Sequence, residues 1–457
     1  LDWGDFPVNA KKPTRQSITQ IVVLGGGFAG VYAARRMEKL FAGRGDVQIF
    51  LVSRDNFLLM TPLLFEVCSG KLEMSACSIS IREFLRRVEF IEALVETIDL
   101  DRRTVRVSSG ATNQRELRYD HLVLALGSLT NTSRIEGSEL AFTFKTLADA
   151  ILLRNYVIER MERAEVESDT NRRRRELTFV VIGGGLVGVE VFGELSAFMD
   201  EVLRYYRRIR RDEIQLHLLE AGERIMPEIS EQLARYSARV LSRRVGVTIR
   251  TNAPVERITP GCVHLKDEVL QASTVILSAG TSPSPILAKL PIEKDARGKI
   301  RVDATMQCKQ RPELWAVGDC ASIPDPEGRP YPELAQHAMR EATVVAENIY
   351  AAVTGSPLRP FVYKTKGIMA SLGYYRGVAA AMGIPLRGFL AWWIRRSYYL
   401  LVTPRMAQRI RLVVEWTLAL FLYPPLSKLD LNTEKEMLRR YTEAPAREGS
   451  AANPEPL

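Results

Sequence analysis

The sequence predicts an α/β fold: two βαβ units with parallel sheets, followed by a C-terminal α-helical domain suited to a membrane surface. Three observations predict it. A β-branched run at 18–24 leads into a glycine turn, a helical stretch at 29–41 and a second strand at 47–52. The same order returns at 177–182, with a glycine turn from Gly183, a long helix to about Arg208 and a strand at 214–219. Nearer the C-terminus, residues 356–425 carry ten basic side chains against one acid, Glu415, and hold three of the five tryptophans.

The first turn, Gly25-Gly26-Gly27-Phe28-Ala29-Gly30, follows its strand directly. In a GxGxxG turn the first glycine makes the bend and the second lets backbone approach a pyrophosphate. The third lets the helix pack on the strand, and the helix N-terminus supplies positive potential. One such turn is weak evidence, because glycines also serve purely steric needs. Gly183-Gly184-Gly185-Leu186-Val187-Gly188 repeats it in the same context, so the chain is read as two Rossmann-like domains for two dinucleotides. Glu220, ending the second strand of the second unit, is placed to accept hydrogen bonds from an adenosine ribose and to repel a 2′-phosphate, which favours NADH over NADPH. The first unit has Ser53 followed by Arg54 at the corresponding place, so a hydroxyl or backbone group would make that contact.

A chain of 457 residues exceeds one core, and 46% hydrophobic with 26% charged residues is the balance of a folded protein. The net charge of +9 falls almost wholly within 356–425. Basic, aromatic and greasy together fit a membrane surface better than nucleic acid, which is not expected as a partner. Apolar residues at helical spacing (Leu386, Phe389, Leu390, Trp393, Leu400 and Leu401, then Met406, Ile410, Val413, Val414 and Leu420) would form the lipid-facing stripes. Trp392, Trp393, Tyr398 and Tyr399 would lie at headgroup level, with arginines snorkelling to phosphates. No apolar run reaches the length of a membrane span. The five cysteines form no CxxC pair and no metal-ligand spacing, so no metal is expected. The charged stretch 165–176 reads as a solvated loop. The expected partition is an arm at 1–17, a first nucleotide domain at 18–145 and 290–355, a second at 146–289, a membrane-binding domain at 356–441 and a flexible tail at 442–457.

With two such units and Glu-Leu-Trp-Ala-Val-Gly-Asp at 313–319, the chain resembles flavoproteins of the two-dinucleotide-binding class. More specifically it resembles the type II (alternative) NADH:quinone oxidoreductases. The segments that carry this are NFLLMTPLLFEVCSG at 56–70, the long apolar helix after Gly185, LAQHAMREA at 334–342 and KGIMASLGYYRGVAAAMG at 366–383 with FLAWWIRRSYYLL after it. The likeness spans roughly residues 18–425. It implies non-covalent FAD held by the first turn, by Thr61 and Pro62, by Gly127 and by Asp319 on the ribityl chain. It implies NADH on the second turn, near Ala279 and Gly280. Gln336 would contact flavin or quinone, with Met339 and Arg340 at the quinone. Arg340 stands where many members have a second glutamine. Glu190 and Lys366 are expected as a pair, either handling protons or as a positioning salt bridge.

The implied reaction carries two electrons from NADH through FAD to a membrane quinone, without proton pumping. The chain would sit on the cytoplasmic face of a cell membrane or an equivalent organelle membrane, with a homodimer plausible for the family. Three alternatives stay open: a sulfide:quinone oxidoreductase, a soluble ferredoxin- or rubredoxin-type reductase, and an NADH-sensing regulatory flavoprotein. The first needs paired redox cysteines, and Cys68 and Cys77 do not obviously supply them. Cys320, beside Asp319, reads as a small buried residue. The greasy basic C-terminus argues against the second.

Overall fold

The computed structural model describes residues 18–110 and 113–428; the expected arm and tail lie outside them. The helices that position the site are α1 (Phe28–Leu40), α2 (Leu64–Cys68), α3 (Leu147–Val166), α4 (Leu186–Val202), α5 (Ala335–Thr354), α6 (Phe389–Val402) and α7 (Met406–Leu418). The first sheet has six strands in the order Gln307–Cys308, Arg311–Ala316, His121–Leu124, Thr19–Leu24, Val47–Ser53, Glu89–Glu92. All its pairings are parallel except the outermost, between Gln307–Cys308 and Arg311–Ala316. Strands buried on both faces need continuous apolar runs, and Ile21, Val22, Val23 and Leu24 are fully buried accordingly.

The second sheet is parallel throughout, in the order Phe142–Thr143, Thr274–Leu277, Thr178–Ile182, Gln215–Leu219, Val247–Arg250. It takes its edge strand from Phe142–Thr143, just before the boundary expected at 146. Ser128–Thr130 pairs antiparallel with Thr281–Pro283 where the chain crosses between the two units. The Thr146 hydroxyl then caps α3 in a reciprocal box with Asp149.

Two local readings need correction. The helix after Gly185 ends at Val202 and passes into a 3₁₀ turn, Leu203–Tyr205, rather than running to Arg208. The stretch read as a loop at 165–176 finishes α3 and then forms a short helix, Thr170–Glu176, capped by the Asp169 carboxylate; it buries no residue, so it is solvated as expected.

The C-terminal segment contains the expected helices, but they follow a three-stranded antiparallel meander, Gly367–Ser371, Gly377–Ala381 and Ile384–Gly388. This sheet packs on α4. A Cβ on Gly193 would lie 2.7 Å from the backbone carbon of Leu372, so glycine alone permits that approach. No helix among the described residues is long and apolar enough to cross a membrane.

Candidate active site

The two glycine turns are built alike. Gly25 and Gly183 have φ of 118° and 103°, a region L side chains rarely enter, and Cβ atoms there would strike the backbone of Ala125 and Ser278. Gly30 and Gly188 each sit where a Cβ would lie 1.9 Å from the carbonyl oxygen of Gly25 or Gly183, which is the close helix–strand contact. Around Gly27, by contrast, a Cβ would meet nothing within 4 Å, leaving open space at the N-terminus of α1. That arrangement fits a dinucleotide phosphate at the first turn; at the second, the Leu186 N–H donates to the Glu228 carboxylate at 3.4 Å, so an acidic side chain stands where a phosphate would bind.

At the second turn the Glu220 carboxylate accepts the Gly184 N–H at 2.6 Å and the Gly222 N–H at 2.7 Å, which fixes it at the strand end beside the glycines. At the first turn Ser53 is buried under Gly26 and its hydroxyl accepts the Asp55 N–H, whereas Arg54 is exposed and pairs with Asp55. Asp319 follows strand Arg311–Ala316 in a 3₁₀ turn. Its Oδ2 accepts from the Ser128 hydroxyl at 3.0 Å and lies 3.5 Å from Lys145 Nζ. The Gly318 N–H donates to Glu341 on α5 at 2.8 Å. Burial pushes the Glu341 carboxyl up to about 7, the Gly318 N–H opposing it. Gly127 and Gly280, both at positive φ, border this region, and Gly127 faces open space.

Glu190 and Glu194 are one turn apart on α4 and both face strand Gly367–Ser371. The Ser371 N–H donates to Glu190 at 2.9 Å and its hydroxyl to Glu194 at 2.8 Å. Glu194 is held ionised against burial by Lys71 at 3.3 Å. Glu190 is pushed up to about 7 by burial, with the charge of Arg395 pulling it down. The expected Glu190–Lys366 pair does not form. Lys366 is exposed, and among the described residues its side chain joins no ion pair; the cation beside Glu190 is Arg395, at 3.3 Å.

Gln336 is engaged on both sides of its amide. Nε2 donates to the Gly367 carbonyl at 2.8 Å, and Oε1 accepts from the Tyr363 hydroxyl at 3.1 Å and from the Lys366 N–H at 3.3 Å. It therefore ties the start of α5 to the C-terminal segment. Arg340 donates to the Gln336 carbonyl, lies over the Tyr363 ring at 4.4 Å and sits beside Tyr398, with Met339 half-buried next to it.

Arg395 and Arg396 do not snorkel. Both are buried, on Glu66 of α2: Arg395 at 3.4 Å, Arg396 at 2.8 Å, with the Trp416 indole donating to the same carboxylate at 2.8 Å. Arg395 also donates to the Pro62 carbonyl. Trp392 is buried under Arg396, so of the paired tryptophans only Trp393 projects outward. The rest of the outer face of α6 and α7 is bare: Phe389, Leu390, Leu401, Met406, Ile410 and Val414 are each more than half exposed.

A family model described as pyridine nucleotide-disulphide oxidoreductase matches residues 19–342. The chain belongs to that family. It is 30% identical over 408 residues, 87% of its own length and 95% of the relative's, to demethylphylloquinone reductase NdbB of Synechocystis. It is 29% identical over 466 residues, 97% of each chain, to type II NADH:quinone oxidoreductase Ndh of Mycobacterium tuberculosis. The structure of NDH2 from Plasmodium falciparum in complex with NADH matches with a TM-score of 0.83 over 90% of this chain and 100% of that one, at 20% identity, which establishes likeness of fold. A ferredoxin reductase from Rhodopseudomonas palustris matches at 0.62 over 79% of this chain. These relatives group this oxidoreductase with the type II NADH:quinone oxidoreductases, as the sequence resemblance implied.

In this family member the sequence reading missed Glu66, Arg395, Arg396 and Lys145. The first three had a signal: each is a lone charge or pair set inside an apolar run (LLFEVC, FLAWWIRRSYYLL), where burial demands an opposite partner. All five cysteines are free. Burial pushes the thiols of Cys68, Cys77, Cys308 and Cys320 up to about 12, which suits structural rather than redox use.

Proposed function

We propose that this protein carries two electrons from NADH through FAD to a quinone at a membrane surface, without pumping protons. The observation that carries the reading is a conjunction: two dinucleotide turns, each with its polar partner in place, on a chain whose C-terminal helices leave an apolar face uncovered. FAD held at the first turn would supply the redox chemistry, hydride acceptance from NADH and electron transfer to the acceptor. The residues do the rest. The open backbone at Gly27, with Phe28 and Ala29 opening α1, takes the FAD pyrophosphate, and Asp319 takes the ribityl hydroxyls with Ser128 and Lys145 orienting it. Thr61 and Pro62, in the 3₁₀ turn that leads into α2, would border the flavin. Gly185 and Leu186 would hold the NADH pyrophosphate once Glu228 moves off the Leu186 N–H, Glu220 would hold the adenosine ribose, and Ala279 and Gly280 would border the nicotinamide. Glu190, pushed up to about 7 by burial, is placed to take up or release a proton near neutral pH. Met339 and Arg340 meet the quinone, while Gln336 fixes the segment that closes over them.

The relatives named as quinone reductases support the acceptor, and the exposed face of α6 and α7 supports peripheral attachment. A sulfide:quinone reading lacks its cysteine pair, and the ferredoxin reductase likeness covers a smaller share of the chain. Steady-state oxidation of NADH and NADPH, each with a short-chain quinone, a ferredoxin or oxygen as acceptor, tests the reading. NADH with quinone is expected to be fastest. Equal rates with NADPH would remove the assignment of Glu220, and turnover with ferredoxin alone would remove the quinone.

A further inference from the structure

Arg395 touches all three parts of the molecule. It lies on α6 and is 1% exposed, among the largest fully buried side chains. Its Nη1 is 3.4 Å from Glu66 Oε1 on α2, its Nε is 3.3 Å from Glu190 Oε1 on α4, and it donates to the Pro62 carbonyl. The rings of Phe65 and Tyr399 flank the guanidinium at 4.6 and 4.8 Å. The Nε–Glu190 contact is an ion pair without hydrogen-bond alignment, so it acts through charge and steric placement.

The neighbouring charges decide which carboxylate depends on it. The titratable groups facing Glu190 are Glu194 on its own helix, Glu66 on α2, and Arg395 and Tyr399 on α6. Glu194 has Lys71, and Glu66 has Arg396 and the Trp416 N–H. Among the described residues Glu190 has Arg395 as its cation and the Ser371 N–H as its hydrogen-bond donor.

We propose that Arg395 is the counter-ion and positioning residue of Glu190, the task expected of Lys366. This rests on reading Glu190 as the proton-holding group of the quinone half-reaction. It makes the seating of α6, the same helix that presents Phe389, Leu390 and Trp393 outward, a condition for an ionisable Glu190. Without Arg395, only the Ser371 N–H opposes burial and two neighbouring carboxylates, and the acid keeps its proton to higher pH.

The test is an infrared titration of the full-length, FAD-loaded protein, following the protonated carboxyl band that disappears in Glu190→Gln. Arg395→Met is expected to raise the midpoint of that band by at least about one pH unit, a tenfold change in the protonation equilibrium. Arg395→Lys gives an intermediate midpoint, and Arg396→Lys, which keeps a positive charge beside Glu66 and Glu194 and does not touch Glu190, leaves it near the parent value. Should the Met variant not fold, the two Lys variants decide the matter. A midpoint unchanged in Arg395→Met, or equal shifts in both Lys variants, overturns the proposal. A parent protein that reduces no quinone would instead refute the reading of the site, and the titration would still decide the link between Arg395 and Glu190.

Discussion

Replacing Trp393 by serine should weaken attachment to lipid vesicles more than any charge change of the same size. The ring projects from α6 between Phe389, Leu390 and Leu401, and 54% of it is exposed. A tryptophan offers roughly 200 Å² for burial, so about 100 Å² of apolar surface is free to enter the headgroup and acyl boundary. At about 25 cal/mol per Å² that burial contributes about 2.5 kcal/mol, a factor of roughly 60 in partitioning. Exposed basic residues near an anionic surface add about 1 kcal/mol each and fade with salt. Sedimentation with neutral and anionic vesicles, at low and high salt, separates the two contributions. Trp393→Ser should lose most binding on both vesicle types at high salt, while Trp392→Phe, at a buried position, should change binding little. Unaltered partitioning of Trp393→Ser, or complete release of the parent protein by salt, would refute an apolar attachment through this face.

Removing Glu66 leaves Arg395 and Arg396 buried with one fewer carboxylate between them, so Glu66→Ala should cost about 3–5 kcal/mol of stability, read by denaturant unfolding; a loss under about 1 kcal/mol would mean that the cluster is solvated in solution. Gly188→Ala places a methyl 1.9 Å from the Gly183 carbonyl and should abolish NADH binding while flavin is retained, whereas Gly30→Ala should yield protein depleted of flavin, both read from the flavin absorbance with and without NADH. Glu341 is raised to about 7 from an ordinary 4.5, so the folded state binds the extra proton between those values and loses up to about 3 kcal/mol of stability as pH rises through them. Glu341→Gln still accepts the Gly318 N–H and should flatten that decline; an unchanged slope between pH 4.5 and 7 would show that Glu341 does not titrate there.

The nucleotide-binding architecture was legible because its chemistry is local. In each unit strand, glycine turn and helix follow one another without a break (19–40 and 178–202), so position in the chain nearly equals position in space. Glu220 lies 36 positions after Gly184 and was legible for another reason: the βαβ motif itself brings the end of the adjacent parallel strand to the turn. The C-terminal helices were legible from their 3.6-residue spacing, and Phe389, Leu390 and Trp393 are exposed as that spacing requires, but Leu386 belongs to the last strand of the meander and Leu400 is partly buried. What the spacing could not show is which charges on those helices face inward. Arg395 and Arg396 find Glu66, some 330 positions earlier, and sequence pattern carries no signal for contacts at that separation. Likeness alone pairs Lys366 with Glu190; just ahead of the meander its N–H donates to Gln336 and its side chain turns to solvent. The strands at 367–388 have a weak sequence signature because their small residues, Gly, Ala and Ser, carry little β-branched or aromatic signal.

The most direct measurement is anaerobic stopped-flow of the flavin absorbance in two mixes. NADH should bleach the flavin of the full-length protein far faster than NADPH, and a short-chain quinone mixed with the reduced protein should restore the absorbance within the turnover time. Bleaching by NADH followed by recovery only on admission of oxygen or a ferredoxin would contradict transfer to quinone, and no bleaching by NADH would contradict the second dinucleotide site itself.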